Sequence, residues 1–116
     1  MTLLDNAPTA TASVPEITAD DRAARLTSAG AAWGERIAAN PASAQLTYKV
    51  GAQGEGAVAS RITAGKHVFL VDEPGALAGD DVAASPVEYA LGALISCQVV
   101  VYRLYAQALV IQVDEI

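Results

Sequence analysis

A chain of 116 residues has the length of one domain and can bury enough apolar surface for a hydrophobic core. Its net charge of −6, with lysines and arginines scattered along the sequence, excludes the basic face that nucleic-acid binding requires. One cysteine and one histidine, Cys97 and His67, exclude an internal disulfide and the usual zinc ligands, so neither a metal nor a cofactor is expected.

Composition also bears on the core and on cellular location. Apolar residues make up 53% of the chain and aromatics only 5%, so the core is expected to consist mainly of Ala, Val, Leu and Ile. Residues 1–14 lack the basic and apolar regions of a signal peptide. The longest apolar tract, residues 89–102, is shorter than the roughly 20 residues that span a bilayer. The sequence therefore predicts a cytoplasmic protein that is not in a membrane.

The first element predicted in chain order is a helix over residues 19–39, preceded by a flexible tail over residues 1–16. Thr18 followed by aspartates is typical of a helix start. Three large apolar residues fall on one helical face: Leu26, Trp33 and Ile37. Asn40-Pro41 ends the helix, because a residue before proline avoids the α conformation. Residues 17–44 thus form a helix and a linker.

Three short strands are predicted next. Alternation of apolar and polar residues predicts strands over 46–50 and 58–63, joined by a glycine-rich turn over 51–56. Residues 64–66 are short enough for a hairpin loop, and residues 67–71 are apolar enough for a central strand. These strands begin the predicted main domain.

That domain extends over residues 45–116 and is predicted to contain one long buried helix. A loop rich in turn residues, 72–81, leads to Ser85-Pro-Val-Glu88, in which serine caps, proline suits the first helical position and glutamate completes a capping box. The helix is predicted from Pro86 to about Ala108, and it is apolar on nearly every side. Residues 110–116 are predicted to begin another strand.

Two features could suggest a phosphate-binding loop or a metal site, but a purely structural role is the preferred interpretation of each. The glycines of residues 51–56 do not have the order of a dinucleotide or phosphate-binding loop, so a hairpin turn is the preferred interpretation. His67 lies in a predicted strand with no second ligand nearby, so a structural or exposed histidine is preferred. No Ser-His-Asp pattern is present.

Cys97 is the one candidate nucleophile, and it lies in the middle of the predicted buried helix. A free cysteine often behaves as a small buried hydrophobe, which is the alternative to a reactive thiol. The residues that share its helical face carry no charge: Ala90, Ala93, Val101 and Leu104. An apolar surrounding suppresses the thiolate, and Glu88 points to the opposite side of an ideal helix. A reactive Cys97 therefore needs a cation from a strand or from a partner subunit.

Several segments together carry a family resemblance. They are Val71-Asp-Glu-Pro, then Ser85-Pro-Val-Glu-Tyr-Ala-Leu-Gly-Ala-Leu-Ile-Ser-Cys97, then Tyr102-Arg-Leu-Tyr-Ala106. This pattern resembles the OsmC/Ohr family, and it is closest to the OsmC-like hydroperoxide reductases. The resemblance covers roughly residues 45–116, is most specific over residues 84–106, and does not include residues 1–44.

The resemblance implies an α+β fold in which antiparallel strands pack on a long central helix and two subunits intertwine. Active sites of the family lie at the subunit interface, where a thiolate reduces organic and inorganic hydroperoxides. Cys97 matches the cysteine that attacks the peroxide, and Glu88 matches the acid at the helix start. The implied partners are a small hydroperoxide substrate, a thiol reductant and a second copy of the chain.

Two departures from the family pattern change the expected chemistry. The family's resolving cysteine belongs to a later helix, which would lie beyond Ile116, so an external thiol must reduce the sulfenic acid. The family's arginine near a β-hairpin aligns with residues 53–56, where none is present, and Arg61 is the nearest substitute. The sequence thus predicts hydroperoxide reduction, with a non-catalytic truncated domain or assembly partner, in which Cys97 is only packed, as the alternative.

Overall fold

The computed structural model describes residues 12–116, and it shows a mixed α+β chain, as predicted. A three-stranded antiparallel sheet lies between two long helices in sequence. The five main elements are α1 (Ala19–Ala39), β1 (Val50–Glu55), β2 (Ala59–Ala64), β3 (His67–Val71) and α2 (Pro86–Ala108). Two short 3-10 turns, Pro41–Ala44 and Gly75–Leu77, complete the regular structure of the described residues. Most of the predicted tail, residues 1–11, lies outside the described part.

The helix predicted over residues 19–39 is confirmed as α1. Thr18 caps it, because the Asp21 amide donates to the Thr18 hydroxyl at 3.1 Å. At the other end Asn40 leaves the helical conformation, and its side chain accepts a hydrogen bond from the Ala42 amide at 3.2 Å. The proline after Asn40 explains why the helix stops there.

The sheet has the order β1-β2-β3, so β2 is central and the other two strands are edges. The predictions of β2 and β3 are confirmed within one residue, but β3 was predicted to be a central strand, and that is wrong. Gly65 adopts a φ of 59° in the two-residue turn between β2 and β3, where an L side chain would be strained.

The first strand was predicted in the wrong place. Residues 46–49 belong to no strand, and the segment 51–55, predicted as part of a turn, forms most of β1. The turn is shorter and lies at 56–58, where Gly56 has a φ of 56°. Glycines contribute no side chain to an alternating pattern, although their backbone pairs like any other. Gly54 lies directly opposite Ser60 of β2.

The loop between β3 and α2 is organised by Asp72, the one fully buried side chain of the described residues, at 1% exposure. Its carboxylate accepts from the amides of Asp80 at 3.0 Å and Val82 at 3.2 Å, and its own amide donates to the Ala84 carbonyl. Backbone hydrogen bonding, chiefly from Glu73, lowers the pKa of Asp72, although burial acts in the opposite direction. A carboxylate thus holds the loop together.

α2 begins and ends where the sequence predicts. The Glu88 amide donates to the Ser85 hydroxyl at 3.3 Å, and the Ser85 amide donates to the Glu88 carboxylate at 2.7 Å. These two bonds form the predicted capping box. Tyr89, one residue further on, attaches the helix to the sheet: its hydroxyl donates to the Leu70 carbonyl at 2.8 Å and its ring contacts Phe69.

Within this chain α2 is not buried, contrary to prediction. It has no buried residue, and large side chains in its middle, such as Leu94 and Ile95, are 59% and 60% exposed. The accessible surface of the chain is 9949 Å², against about 6000 Å² for a folded monomer of this mass. The apolar pattern of α2 is real, but three strands and α1 leave most of it uncovered.

The strand predicted over residues 110–116 is not present. The segment leaves α2 at Val110, which has a φ of 55°, and forms no ladder with the three strands. A strand needs a neighbour to satisfy its backbone groups, and the described part of the chain offers none at this position.

One further property of α2 concerns membranes. Among the described residues it is the one helix long and apolar enough to cross a bilayer, with a hydropathy of 1.3 over its most apolar window. The tract 89–102 falls short of a span, whereas the whole helix of 23 residues reaches that length. Core helices of soluble proteins have the same length and composition, so this is weak evidence for a membrane span.

Candidate functional site

Cys97 lies in the fourth turn of α2, and its side chain is exposed in this chain. The single chain does not itself pack this cysteine, so the alternative of a packed Cys97 requires another surface to cover it. Val101 and Leu104, which share its helical face, are also exposed. The thiol thus lies on an open apolar surface that a peroxide or another protein surface can reach.

Glu88 is engaged at the start of the same helix. One oxygen of its carboxylate accepts from both the amide and the hydroxyl of Ser85, at 2.7 and 2.8 Å. These hydrogen bonds, the backbone one first, lower the pKa of Glu88. Cys97 follows nine residues later, about 13 Å along the axis and half a rotation around it. Within one chain Glu88 is a capping acid rather than a neighbour of the thiol.

Arg61 forms an ion pair within the β1–β2 hairpin. Its Nε lies 2.5 Å from Glu55 Oε1 and its Nη2 lies 3.2 Å from Oε2, so the pair is bidentate. The hydrogen bond to Arg61 lowers the pKa of Glu55, and the same bond raises the pKa of Arg61. Both side chains are well solvated, so the pair contributes little to stability. Its importance is that it fixes the position of the guanidinium.

The strand register places Arg61 on the face of the sheet that points away from α2. Ile62 lies directly opposite Phe69, so these two side chains share a face. Phe69 contacts Tyr89 of α2, with ring centroids 5.2 Å apart. Arg61 precedes Ile62 by one residue and must project from the other face. No hydrogen bond or ion pair of residues 12–116 joins Cys97 to Glu88 or Arg61, so one chain does not bring the three together.

The register also bears on the choice of Arg61 as the substitute arginine. Gln53 is its direct cross-strand partner, and residues 53–56 are where the family pattern puts its arginine. Directly opposed residues on antiparallel strands have neighbouring side chains on one face. Arg61 therefore presents its charge within a few ångströms of the position that the resemblance indicates.

Two groups of residues in the structure have no signal in the sequence. Asp72 lay in a segment predicted only as a loop, and its burial depends on amides up to ten residues away. Three arginines line one cleft of about 550 Å³ between α1 and α2: Arg22 and Arg25, one turn apart on α1, and the distant Arg103 of α2. The sequence indicates no basic cluster, because only the fold brings these side chains to one place.

The remaining candidate, His67, is exposed at the start of β3. Within residues 12–116 no group of three or more histidine, cysteine or acidic side chains is placed to hold a metal ion.

Comparison of the chain with protein-family models, with curated proteins and with solved structures found no match. The resemblance to the OsmC/Ohr family therefore depends on the sequence motifs between Val71 and Ala106 alone.

Proposed function

We propose that this protein reduces organic hydroperoxides with Cys97 as the attacking thiolate, in the manner of the OsmC-like proteins that it resembles. The observation that carries the proposal is the exposure of Cys97 on a helix that begins with a complete Ser85–Glu88 capping box. A nucleophilic thiol must be accessible to its substrate. The motif predicts which cysteine acts, and the exposure makes the attack sterically possible.

The proposed chemistry is a two-electron transfer at sulfur. The Cys97 thiolate attacks one peroxide oxygen, an S–O bond forms, and the O–O bond breaks. The second oxygen leaves with a proton as an alcohol, or as water when the substrate is hydrogen peroxide. Cysteine is thereby oxidised to a sulfenic acid. A first external thiol then attacks the sulfenic acid, forms a mixed disulfide with Cys97 and releases water. A second external thiol attacks that mixed disulfide, which restores the Cys97 thiolate and releases the disulfide of the reductant.

Activation of the thiol is proposed to come from a second copy of the chain. Opposite charge near a thiol favours the thiolate, and Arg61 projects from the sheet face that is turned away from its own helix. In a homodimer that packs this face against the partner's α2, Arg61 would approach the partner's Cys97. The excess surface, roughly 4000 Å² above that of a folded monomer, exceeds the roughly 800 Å² that a standard interface buries on each partner.

The same dimer is proposed to keep α2 out of membranes, and a cytoplasmic location accompanies it. An apolar helix covered by a partner sheet resembles the core helix of a soluble protein. The Arg61–Glu55 ion pair favours this view, because a charged sheet face suits a water-filled site better than a lipid one.

The alternative function is a non-catalytic domain or assembly partner. The observation in its favour is that Glu88 is fully engaged in capping and Arg61 in an ion pair, so neither group is free for catalysis in one chain. In that case α2 serves as a docking surface and Cys97 is one of its packed residues.

Peroxide consumption separates the two functions. Purified protein is mixed with cumene hydroperoxide and excess dithiothreitol, and the loss of peroxide is followed over time. We expect turnover by the wild type and a fall to the uncatalysed rate, at least about a hundredfold lower, in Cys97→Ser. Ser96→Ala is the matched control and should retain turnover. Equal slow consumption by wild type and Cys97→Ser would rule out the enzyme.

Alkylation of Cys97 tests the source of the activating charge. In the dimer, Arg61→Ala should slow the reaction with iodoacetamide about threefold to tenfold, because the thiolate fraction falls. Glu55→Gln should speed it, because that change frees Arg61 from its carboxylate. Dilution to monomer should also slow alkylation. Equal rates in dimer and monomer would mean that no activating partner reaches the sulfur, and an unchanged rate in Arg61→Ala would remove only that residue's role.

A further inference from the structure

A cleft between α1 and the last third of α2 combines positive charge with apolar walls. Three arginines line it, Arg22 and Arg25 from α1 and Arg103 from α2. Residues of the segment that precedes α1 also line it, with Val14 and Ile17 among them. We infer that this cleft binds an oxyanion, a phosphate or a carboxylate, that is carried on a small apolar body.

The electrostatic argument begins with the arginines themselves. A guanidinium is charged at any physiological pH, so all three carry a positive charge. None of them forms an ion pair within residues 12–116, where the pair between Glu55 and Arg61 is the one salt bridge. Arg22 and Arg103 are half-buried, which reduces solvation of their charges. All three charges line the same cleft, so an anion that binds there would be attracted by each of them.

The size of the cleft fits a ligand larger than a bare ion. Its volume of about 550 Å³ is within the range of sites for small organic molecules. Val14, Pro15 and Ile17 add apolar side chains to the lining that contains the three arginines. Arginine forks pair with phosphate or carboxylate oxygens through two parallel hydrogen bonds. The arrangement therefore suits a ligand whose charged end faces the arginines and whose apolar part faces residues 14–17.

One carboxylate, that of Glu16, also lines the cleft. It lies within the same opening as the arginines but forms no ion pair with them in the described part of the chain. Its negative charge opposes an incoming anion. Removal of the Glu16 charge should therefore strengthen anion binding, which distinguishes an electrostatic site from an apolar one.

The cleft is distinct from the proposed peroxide site. Arg103 follows Cys97 by six residues, about 9 Å along α2, and points about 120° away around the helix. Arg22 and Arg25 belong to α1, which lies outside the segment that resembles the OsmC/Ohr family. An anion bound there would contact the N-terminal helix and α2 together, and so would stabilise the contact between them.

Binding is tested by calorimetry on the full chain with four probes: octyl phosphate, octanoate, inorganic phosphate and octanol. We expect one of the two amphiphilic anions to bind at least about tenfold more tightly than inorganic phosphate, and octanol not to bind. The stronger of the two identifies the preferred oxyanion. Absence of binding by both amphiphilic anions would overturn the inference, and equal binding of octanol would show a merely apolar surface.

Substitutions locate the site. Arg25→Gln, at an exposed position, and Arg103→Gln should each weaken binding at least about tenfold, because each removes a charged hydrogen-bond donor. Arg36→Gln is the matched control, since Arg36 lies at the other end of α1 over the Trp33 ring. Glu16→Gln should tighten binding, a gain that a folding defect does not produce. Unchanged affinity in both the Arg25 and Arg103 variants would overturn the assignment, whatever the peroxidase assay shows.

Discussion

The loop of residues 72–85 and the helix α2 that follows it are stabilised in opposite ways. The loop surrounds a buried carboxylate, Asp72, and its hydrogen bonds are made within the segment itself. α2 has a complete cap and a long apolar surface, yet no residue of it is buried. The loop thus satisfies its polar groups with its own backbone, whereas α2 leaves its apolar side chains uncovered.

Of the two regions, α2 is the one whose stability depends on another surface. Hydrogen bonds between a carboxylate and nearby amides need only the loop's own backbone. Apolar side chains are stabilised only when another surface removes them from water. We therefore expect the loop to be sensitive to changes of its own atoms, and α2 to be sensitive to changes of its environment.

The largest effect is expected from Gly79→Ala in the loop. A β-carbon at Gly79 would overlap the carbonyl group of Glu73, and backbone atoms cannot move aside cheaply. We expect a loss of more than about 3 kcal/mol of stability and a Tm lower by more than about 10 °C. Gly75→Ala is the control, since nothing lies within 4 Å of its added β-carbon. Equal melting temperatures for the two variants would contradict the close approach.

A smaller effect is expected from a charge on α2. In the proposed homodimer Leu94 is covered, so Leu94→Lys should raise the dimer dissociation constant about a hundredfold, which corresponds to about 2.8 kcal/mol. Sedimentation velocity over a range of concentrations measures this constant. Ser28→Lys, on the exposed side of α1, should leave it unchanged. A wild-type chain that stays monomeric and melts cooperatively at micromolar concentration would refute the dimer.

The smallest effect concerns the acid stability of the loop. Because the pKa of Asp72 is lowered in the folded chain, the unfolded chain binds its proton first as the pH falls. The stabilisation is complete above the ordinary value near 3.8 and disappears as the pH falls through the folded-state pKa. Asp72→Asn should lower Tm by several degrees at pH 7 and leave a smaller difference at pH 3. Glu73→Gln is the control, and parallel curves for wild type and Asp72→Asn would contradict the assignment.

The sequence predicted the elements whose ends carry local signals. Thr18 and the Ser85–Glu88 box mark the starts of the two helices, and both are confirmed. β1 was misplaced because alternation in residues 46–50 looked like a strand, whereas pairing across a short turn selected residues 50–55. The prediction of a strand over 110–116 is wrong because a partner strand is lacking in the described residues. Its pattern is present, but the described chain has no strand beside it.

The candidate site was predictable only in part. The helical position of Cys97 and the capping role of Glu88 follow from spacing along one helix, and the structure agrees with both. The direction of Arg61 depends on strand register, which pairs it with Gln53 and could not be read from the misplaced strand. The arginine cleft depends on contact between α1 and α2, a long-range feature with no local signal.

The tryptophan and most of the tyrosines lie on different helices, which gives α1 an optical signal of its own. Trp33, the one tryptophan, lies on α1 with the Arg36 guanidinium 5.3 Å from its ring centroid. Three of the four tyrosines lie on α2: Tyr89, Tyr102 and Tyr105. Indole emission therefore reports the N-terminal helix, whereas the quenching of tyrosine emission by iodide reports mainly on the exposure of α2. Emission excited at wavelengths that tyrosine does not absorb therefore follows the surroundings of α1 alone.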